Sequence, residues 1–497
     1  MRTISKSKLL ALRQCPKRLW LEVHRPDLRE DSVATQSRFN VGHKVGEIAR
    51  QLYDPTGRGV LIDPQADGMD AAFAKTRELL QSDHPVFEAG FCAEGALAFA
   101  DVMIPVMEDD KRGWRMIEVK SSTSVKDYHR DDAAVQSFLA LRSGVPLKAV
   151  AIAHIDSSWT YPGNDDYQGL LRETDVGIEA FAREAEVREW IGDAAQVLAE
   201  KEEPQVVTGA QCSTPYGCGF LSYCQSTEPQ AIYPIRWLPG RLSSNLSGYI
   251  SEKDVRELSD VPDHLLNTRQ RRVKEVTLSG DPYFNQKATA EALAEHHLPV
   301  YFMDFETIQF AVPIWSGTRP FQQIPFQFSV HYLSDSGITQ HAFLDISGSD
   351  PSMAFAKALI SACGDSGAIF VYNASFETTR IRELAQRYPD LSEALLAVID
   401  RVVDLLPVAR EHYYHPSQKG SWSIKVVTPA ICPDLSYGDL QGVEDGGMAM
   451  SAFLEAIDPN TSDVRKGEIE RQLLAYCALD TYAMVRMWEV FTGRRLS

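Results

Sequence analysis

The sequence predicts an α/β protein made of two domains and a connector. Three observations carry this expectation. The length of 497 residues exceeds what one core holds, at roughly 100 to 200 residues per domain. Helical patterns and two strong strand signals fill the first part of the chain. From Val300 onward, strand and helix patterns alternate up to a long terminal helix, about Val464 to Phe491. The expected domains are 1–228 and 299–497. Between them, 229–298 lacks strand character and carries Pro234, Pro239, Gly240, Gly248 and a basic run, Arg269, Arg271, Arg272 and Lys274.

Composition narrows the function classes. Hydrophobic content of 44% and charged content of 24% are ordinary for a globular protein, and no segment approaches about 18 uninterrupted apolar residues, so no membrane partner is expected. The stretch Met1 to Leu10 is polar and basic and leads into no apolar export segment, which makes a cytoplasmic location the expectation. A formal charge of -18 argues against non-specific coating of nucleic acid, because phosphate binding is driven by Lys and Arg. It leaves room for chemistry that needs clustered carboxylates to hold metal ions and only a local basic track. Of eight cysteines, Cys92, Cys363, Cys432 and Cys477 lie among apolar residues and read as core filling. Cys15 and the cluster Cys212, Cys218 and Cys224 imply metal before disulfide in such a chain.

In the first domain, Ala96 to Val106 and Trp114 to Ser121 read as strands around a polar turn, Glu108 to Gly113. A turn centred between Asp109 and Asp110 pairs residues whose numbers sum to 219, which sets Asp101 opposite Glu118. Directly opposite Cβ atoms lie about 5 Å apart, a spacing at which two carboxylates can share a divalent cation. Lys120, two residues on, shares that face and can position a water or stabilise developing phosphorane charge. The competing explanation is a solvated hairpin of alternating charge. Asp101 followed by Glu118-x-Lys120 resembles the PD-(D/E)XK nuclease signature. His43, in Val41-Gly42-His43, resembles the helical histidine of RecB-like nucleases, Glu88 the acid on their preceding strand, and Gln136 the glutamine of their Gln-x-x-x-Tyr motif, although position 140 is Ala.

Cys212-x5-Cys218-x5-Cys224 is wide for a zinc knuckle, whereas four thiolates suffice for a cubane cluster. Zinc and unligated thiols remain the rival readings. The run Leu12-Arg13-Gln14-Cys15-Pro16-Lys17-Arg18-Leu19-Trp20, taken with these cysteines, resembles the AddB and CRISPR-associated branch of RecB-like nucleases. That resemblance implies a [4Fe-4S] cluster on Cys15, Cys212, Cys218 and Cys224. The x5 spacing departs from the commoner x2.

In the second domain, Val300 to Thr307 is an apolar strand with Asp304 and Glu306 at i and i+2, pointing the same way. A buried carboxylate pair is costly unless cations compensate it, so a metal is favoured. A further strand, Ala368 to Tyr372, leads into Asn373-Ala-Ser-Phe376-Glu377, and Tyr476 and Asp480 stand one turn apart on the terminal helix. Together these resemble the DnaQ-like, RNase H-like DEDDy exonucleases, with Glu377 where that family has Asp. Asp404 resembles an acid of the same family and is a substitute ligand, or else a helix N-cap. The resemblance implies Mg2+ or Mn2+ held by the acids, Tyr476 orienting water, and 3'-to-5' polarity. Tyr414, His415, Trp422 and Lys425 offer an aromatic and basic patch for a nucleic-acid strand, or a surface loop.

The chain as a whole resembles bacterial proteins that join a RecB-like nuclease to a DnaQ-like exonuclease. This implies a metal-dependent, two-site nuclease acting on nucleic acid, DNA first, in repair or defence. The alternative is a single 3'-5' exonuclease whose N-terminal domain is a non-catalytic clamp. Protein partners are not legible in the sequence.

Overall fold

The computed structural model describes residues 3–31, 33–440 and 442–494, and it is mixed α/β. By the density of its contacts the chain forms two compact units: 1–229 with 310–322, and 230–309 with 323–497. The region expected as a connector is therefore part of the second unit. The reason is packing: Val273, Val276 and Leu293 are buried in that unit's main core, and Leu238, Leu246, Leu258 and Val261 form a small core beside it. The basic run also serves the fold, since Lys274 donates to the Val261 carbonyl at 2.6 Å and Arg271 to that of Asp263 at 3.1 Å. No helix among the described residues is long and apolar enough to cross a membrane.

The first unit is organised by one sheet. Its strands run in the order β2 (Val60–Leu61), β3 (Val86–Ala93), β4 (Ala96–Glu108), β5 (Lys111–Lys120), β6 (Leu147–Ile155) and β7 (Leu171–Asp175), and β1 (Ile4–Ser5) joins β4 in parallel. Asp109 and Asp110 both adopt positive φ, 50° and 57°, the two-residue turn whose twist suits a hairpin. The ladder from Val102↔Ile117 to Glu108↔Lys111 accordingly sums to 219 throughout. Helices α1 (Lys6–Gln14), α2 (Pro16–His24) and α3 (Val33–Tyr53) come before the sheet's main strands, and α4 (Asp127–Arg142) follows β5. The side chains of α4 from Asp132 to Ala140 are all buried. Among the core-filling cysteines expected above, Cys92 proves exposed, because it falls on the outward-facing end of β3, while Cys363, Cys432 and Cys477 are buried.

The second unit has a five-stranded sheet, ordered β10 (Gly337–Leu344), β9 (Ile324–Ser334), β8 (Val300–Ile308), β11 (Ile369–Val371) and β12 (Val402–Asp404). The central strand, β8, is apolar on both faces because both are covered. Val300 and Phe302 pack with Met484, Val485 and Trp488 of the terminal helix α5 (Asp463–Thr492), while Tyr301, Met303 and Phe305 pack on the other side with Phe355 and Leu359.

Candidate metal and cysteine sites

In the second unit the alternation of β8 decides where its acids go. Asp304 and Glu306 continue the face of Val300 and Phe302, and that face lies against α5. On α5, Asp480 and Tyr476 sit one and two turns before Met484 on the same helical stripe. The result is a group in which carboxylate oxygens of Asp304, Glu306 and Asp480 all lie within 4.8 Å of one another. Glu306 and Asp480 are buried and Asp304 partly so. Burial raises all three carboxyls, and the charge of neighbouring acids adds to the rise in Asp304 and Glu306: Glu306 up to about 8, Asp480 to about 6, and Asp304 well above the carboxylate range. Three acids that cannot ionise together are a donor set for a hard divalent cation.

Glu377 stands in the first turn of the helix Ser375–Arg387 and is 2% exposed. It lies outside the 4.8 Å group, yet its charge adds to the upward pressure on Asp304, and burial pushes it up to about 8. Its Oε2 is buried with no hydrogen-bond partner among the described residues. An orphaned carboxylate oxygen beside three crowded acids fits the same cation-binding role. Asp404 is placed otherwise. Its Oδ1 accepts from the amides of Leu406 and Asn373, both at 2.9 Å, and its Oδ2 from Ala374 at 3.0 Å. It caps the helix Leu405–His412 and fixes the turn that leads into the helix carrying Glu377.

Two further residues belong to this group. The Tyr437 hydroxyl donates to Asp480 Oδ1 at 2.6 Å, and Lys425 Nζ lies 4.6 Å from the Tyr476 ring centroid and 5.6 Å from that of Tyr437. Burial beside Asp480 pushes both phenols upward, so each stays protonated. Tyr437 carries no periodic or motif signal that marks it in the sequence. The expected aromatic patch is not available to a ligand. Tyr414 is fully buried and Trp422 nearly so, and Trp422 Nε1 donates to the Tyr413 carbonyl at 3.0 Å. These rings complete a core instead of forming a surface.

In the first unit, two registers meet on one row. Neighbouring β3–β4 pairs put Glu88 level with Asp101, and the β4–β5 register puts Asp101 level with Glu118. The ladder itself is interrupted there. Glu88 has a positive φ of 54°, and Asp101 Oδ2 accepts the Val119 amide at 2.6 Å. His43 is exposed on α3 and lines a pocket of about 340 Å³ together with Glu88, Asp101 and Arg50.

Glu118 is 2% exposed, and both of its oxygens are engaged. Oε1 is 2.6 Å from Lys120 Nζ and 3.1 Å from Lys6 Nζ, and Oε2 accepts from Gln136 Nε2 at 2.5 Å. The same two lysines pair with Asp132, Lys6 at 2.9 Å. Burial raises Glu118 to about 8, with Asp101 and Asp132 adding repulsion. Against the upward push of burial, Lys120 and Lys6 hold Asp132 below the ordinary range, and the acids in turn raise both lysines. Asp132 lies four residues before Gln136, one turn away on the same helical face, a spacing that could have pointed to it. Nothing local marks Lys6.

Cys15, Cys212, Cys218 and Cys224 line one pocket with Leu21, Phe220 and Arg18. The Cys218 amide donates to the Cys212 carbonyl at 2.8 Å, and Gln14 Nε2 donates to the carbonyls of Gln211 and Tyr216 at 2.7 and 2.8 Å, which ties the N-terminal helix to the cysteine loop. Burial pushes the Cys224 thiol up to about 11 and raises Cys218 as well, and the neighbouring thiols add to the rise in each. Four thiols lining one pocket are a donor set for a cationic group, whose binding would draw off their protons. No three of these sulfurs lie within 4.8 Å of one another.

A family model described as Domain of unknown function (DUF2779) matches residues 301–423, a span that includes Asp304, Glu306, Glu377 and Asp404 and ends before Tyr476 and Asp480. No curated protein matches the chain.

Proposed function

We propose that this protein is a metal-dependent nuclease that hydrolyses phosphodiester bonds, DNA being the first substrate to test. Its second unit would be an RNase H-like, DnaQ-like 3'-5' exonuclease and its first a RecB-like PD-(D/E)XK nuclease with an iron-sulfur cluster, in repair or defence. The observation that carries this reading is the buried convergence of Asp304, Glu306 and Asp480 within 4.8 Å, beside the unpaired oxygen of Glu377. Oxygen-only donors at that spacing suit Mg2+ or Mn2+. Such ions, when bound, activate water and neutralise the leaving 3'-oxygen. The chain's own part is to hold them with Asp304, Glu306, Asp480 and Glu377. Tyr476, protonated and beside Asp480, would orient the attacking water, and Tyr437 would hold the Asp480 carboxylate through its hydrogen bond.

In the first unit Asp101, Glu118 and His43 would hold a cation, with Lys120 acting on the reacting phosphate. For the cysteines, an iron-sulfur cluster is preferred to zinc because four thiolates suffice for a cubane and the x5 intervals of the sequence are wide for a zinc knuckle. A second reading, one exonuclease with a clamp, is favoured by a single observation: Lys120 is engaged by two carboxylates.

The test is cleavage of end-labelled DNA and RNA with Mg2+, Mn2+ or EDTA. Asp304→Ala should abolish stepwise nucleotide release, and the activity that survives should depend on Lys120 and Asp101. Full nucleotide release by Asp304→Ala would overturn the second-unit site. Unchanged cleavage in both Lys120→Ala and Asp101→Ala would leave the clamp reading.

A further inference from the structure

Two lysines serve one pair of buried acids in the first unit. Lys120 and Lys6 each pair with both Glu118 and Asp132, so the four side chains alternate in charge around a closed ring. Each lysine side chain is 20% exposed, while the acids are 2% and 5% exposed. A cation held by two buried carboxylates is not available to a phosphate. Removing it would strand two charges in a poorly solvated site, which is strongly unfavourable.

Lys6 answers this difficulty. It is fixed from behind: Ile4 and Ser5 pair with Ala96 and Leu97, and Leu9 and Ala11 of the same helix are buried. It also begins α1, the end of a helix where a cation is electrostatically disfavoured, so its position is explained by the acids it meets and not by the helix. With Lys6 in place, Glu118 and Asp132 each keep a cationic partner when Lys120 departs, and Glu118 keeps Gln136 as well. We infer that Lys6 is a positioning residue of the first-unit site, pairing with the two carboxylates that hold Lys120 and so releasing the Lys120 ammonium to the substrate. This rests on the reading of that site as hydrolytic.

The experiment uses the full-length protein in an Asp304→Ala background, with two readouts. One is single-turnover cleavage of end-labelled DNA with Mn2+. The other is the rate at which acetic anhydride acetylates Lys120 without metal, read by mass spectrometry. Lys6→Ala should slow cleavage about 100-fold with substrate binding unchanged, and should slow acetylation of Lys120, which must now serve both acids alone. Lys6→Arg should restore most of the rate. Asp132→Asn added to Lys6→Ala should recover about tenfold, because one carboxylate then holds Lys120 in place of two; a purely structural role for Lys6 predicts no such recovery. Should Lys6→Ala fail to fold, Lys6→Met keeps the stem and replaces it. Parent-like cleavage with unchanged Lys120 labelling, or a double variant no faster than Lys6→Ala, overturns the inference. Loss of cleavage in Lys120→Ala but not in Lys6→Ala sinks the inference alone. Parent-like cleavage in Lys120→Ala instead sinks the hydrolytic reading, and unchanged Lys120 labelling in Lys6→Ala then sinks the inference too.

Discussion

At the second-unit site, side chains a few ångströms apart do different work, and substitutions should separate them. Asp304 has three acidic neighbours and, among the described residues, no ion-pair partner, so Asp304→Ala should remove metal affinity together with rate, at roughly 1,000-fold or more for a lost metal ligand. Tyr476→Phe keeps the ring packed against Lys425 and loses only the hydroxyl; its loss should be about 100-fold, smaller than that of Asp480→Ala. A strand blocked at its 3' end should resist the Asp304-dependent reaction, and one blocked at its 5' end should not. Full activity on the 3'-blocked strand would reverse the proposed polarity. Glu377→Gln should weaken Mn2+ binding measured by calorimetry, whereas Asp404→Asn should leave it unchanged, because the Asp404 oxygens are occupied by backbone amides. The opposite ranking would make Asp404 the ligand.

Elements show where local sequence sufficed and where it did not. The β4–β5 hairpin was legible because two positive-φ aspartates and strict alternation fix its register without outside help. Asp404 was ambiguous, since one residue type serves metals and helix caps equally, and only the loop folded over it decided. Because it removes the acceptor of three backbone amides, Asp404→Ala should lower the unfolding free energy by about 2 kcal/mol, read from urea denaturation, with Asp404→Asn milder. Gly420 gives a second test. It has a φ of +83°, and a Cβ there would sit 1.8 Å from the Trp237 carbonyl oxygen. Gly420→Ala should therefore cost at least about 2 kcal/mol. A melting temperature equal to that of the parent would show that the segment relaxes freely. The Tyr414 and Trp422 rings, expected outside, lie inside because the burial of an aromatic residue depends on what covers it, which no local pattern records.

For the molecule as a whole, the cysteine pocket links distant parts of the first unit, as Cys15 precedes its partners by nearly the whole of that unit's sequence. Protein purified without oxygen should be brown, with about four irons per chain. Cys15→Ala should bleach it and lower the first unit's thermal transition while sparing the second's, because metal-ligand energy is also folding energy. Stoichiometric zinc without iron would overturn the cluster assignment. By itself the sequence determined what periodicity and spacing encode: the mixed α/β class, the two acids on one face of β8, Tyr476 and Asp480 on one face of a helix, and the hairpin that levels Asp101 with Glu118. Only the tertiary structure decided which of these faces meet. It brought Asp480 to Asp304 and Glu306, added Tyr437, set Lys6 and Asp132 around Glu118, and drew 230–298 into the second unit. The physical reason is range: backbone geometry repeats within a few residues, whereas the partners of a buried charge are chosen by packing between segments far apart in the chain.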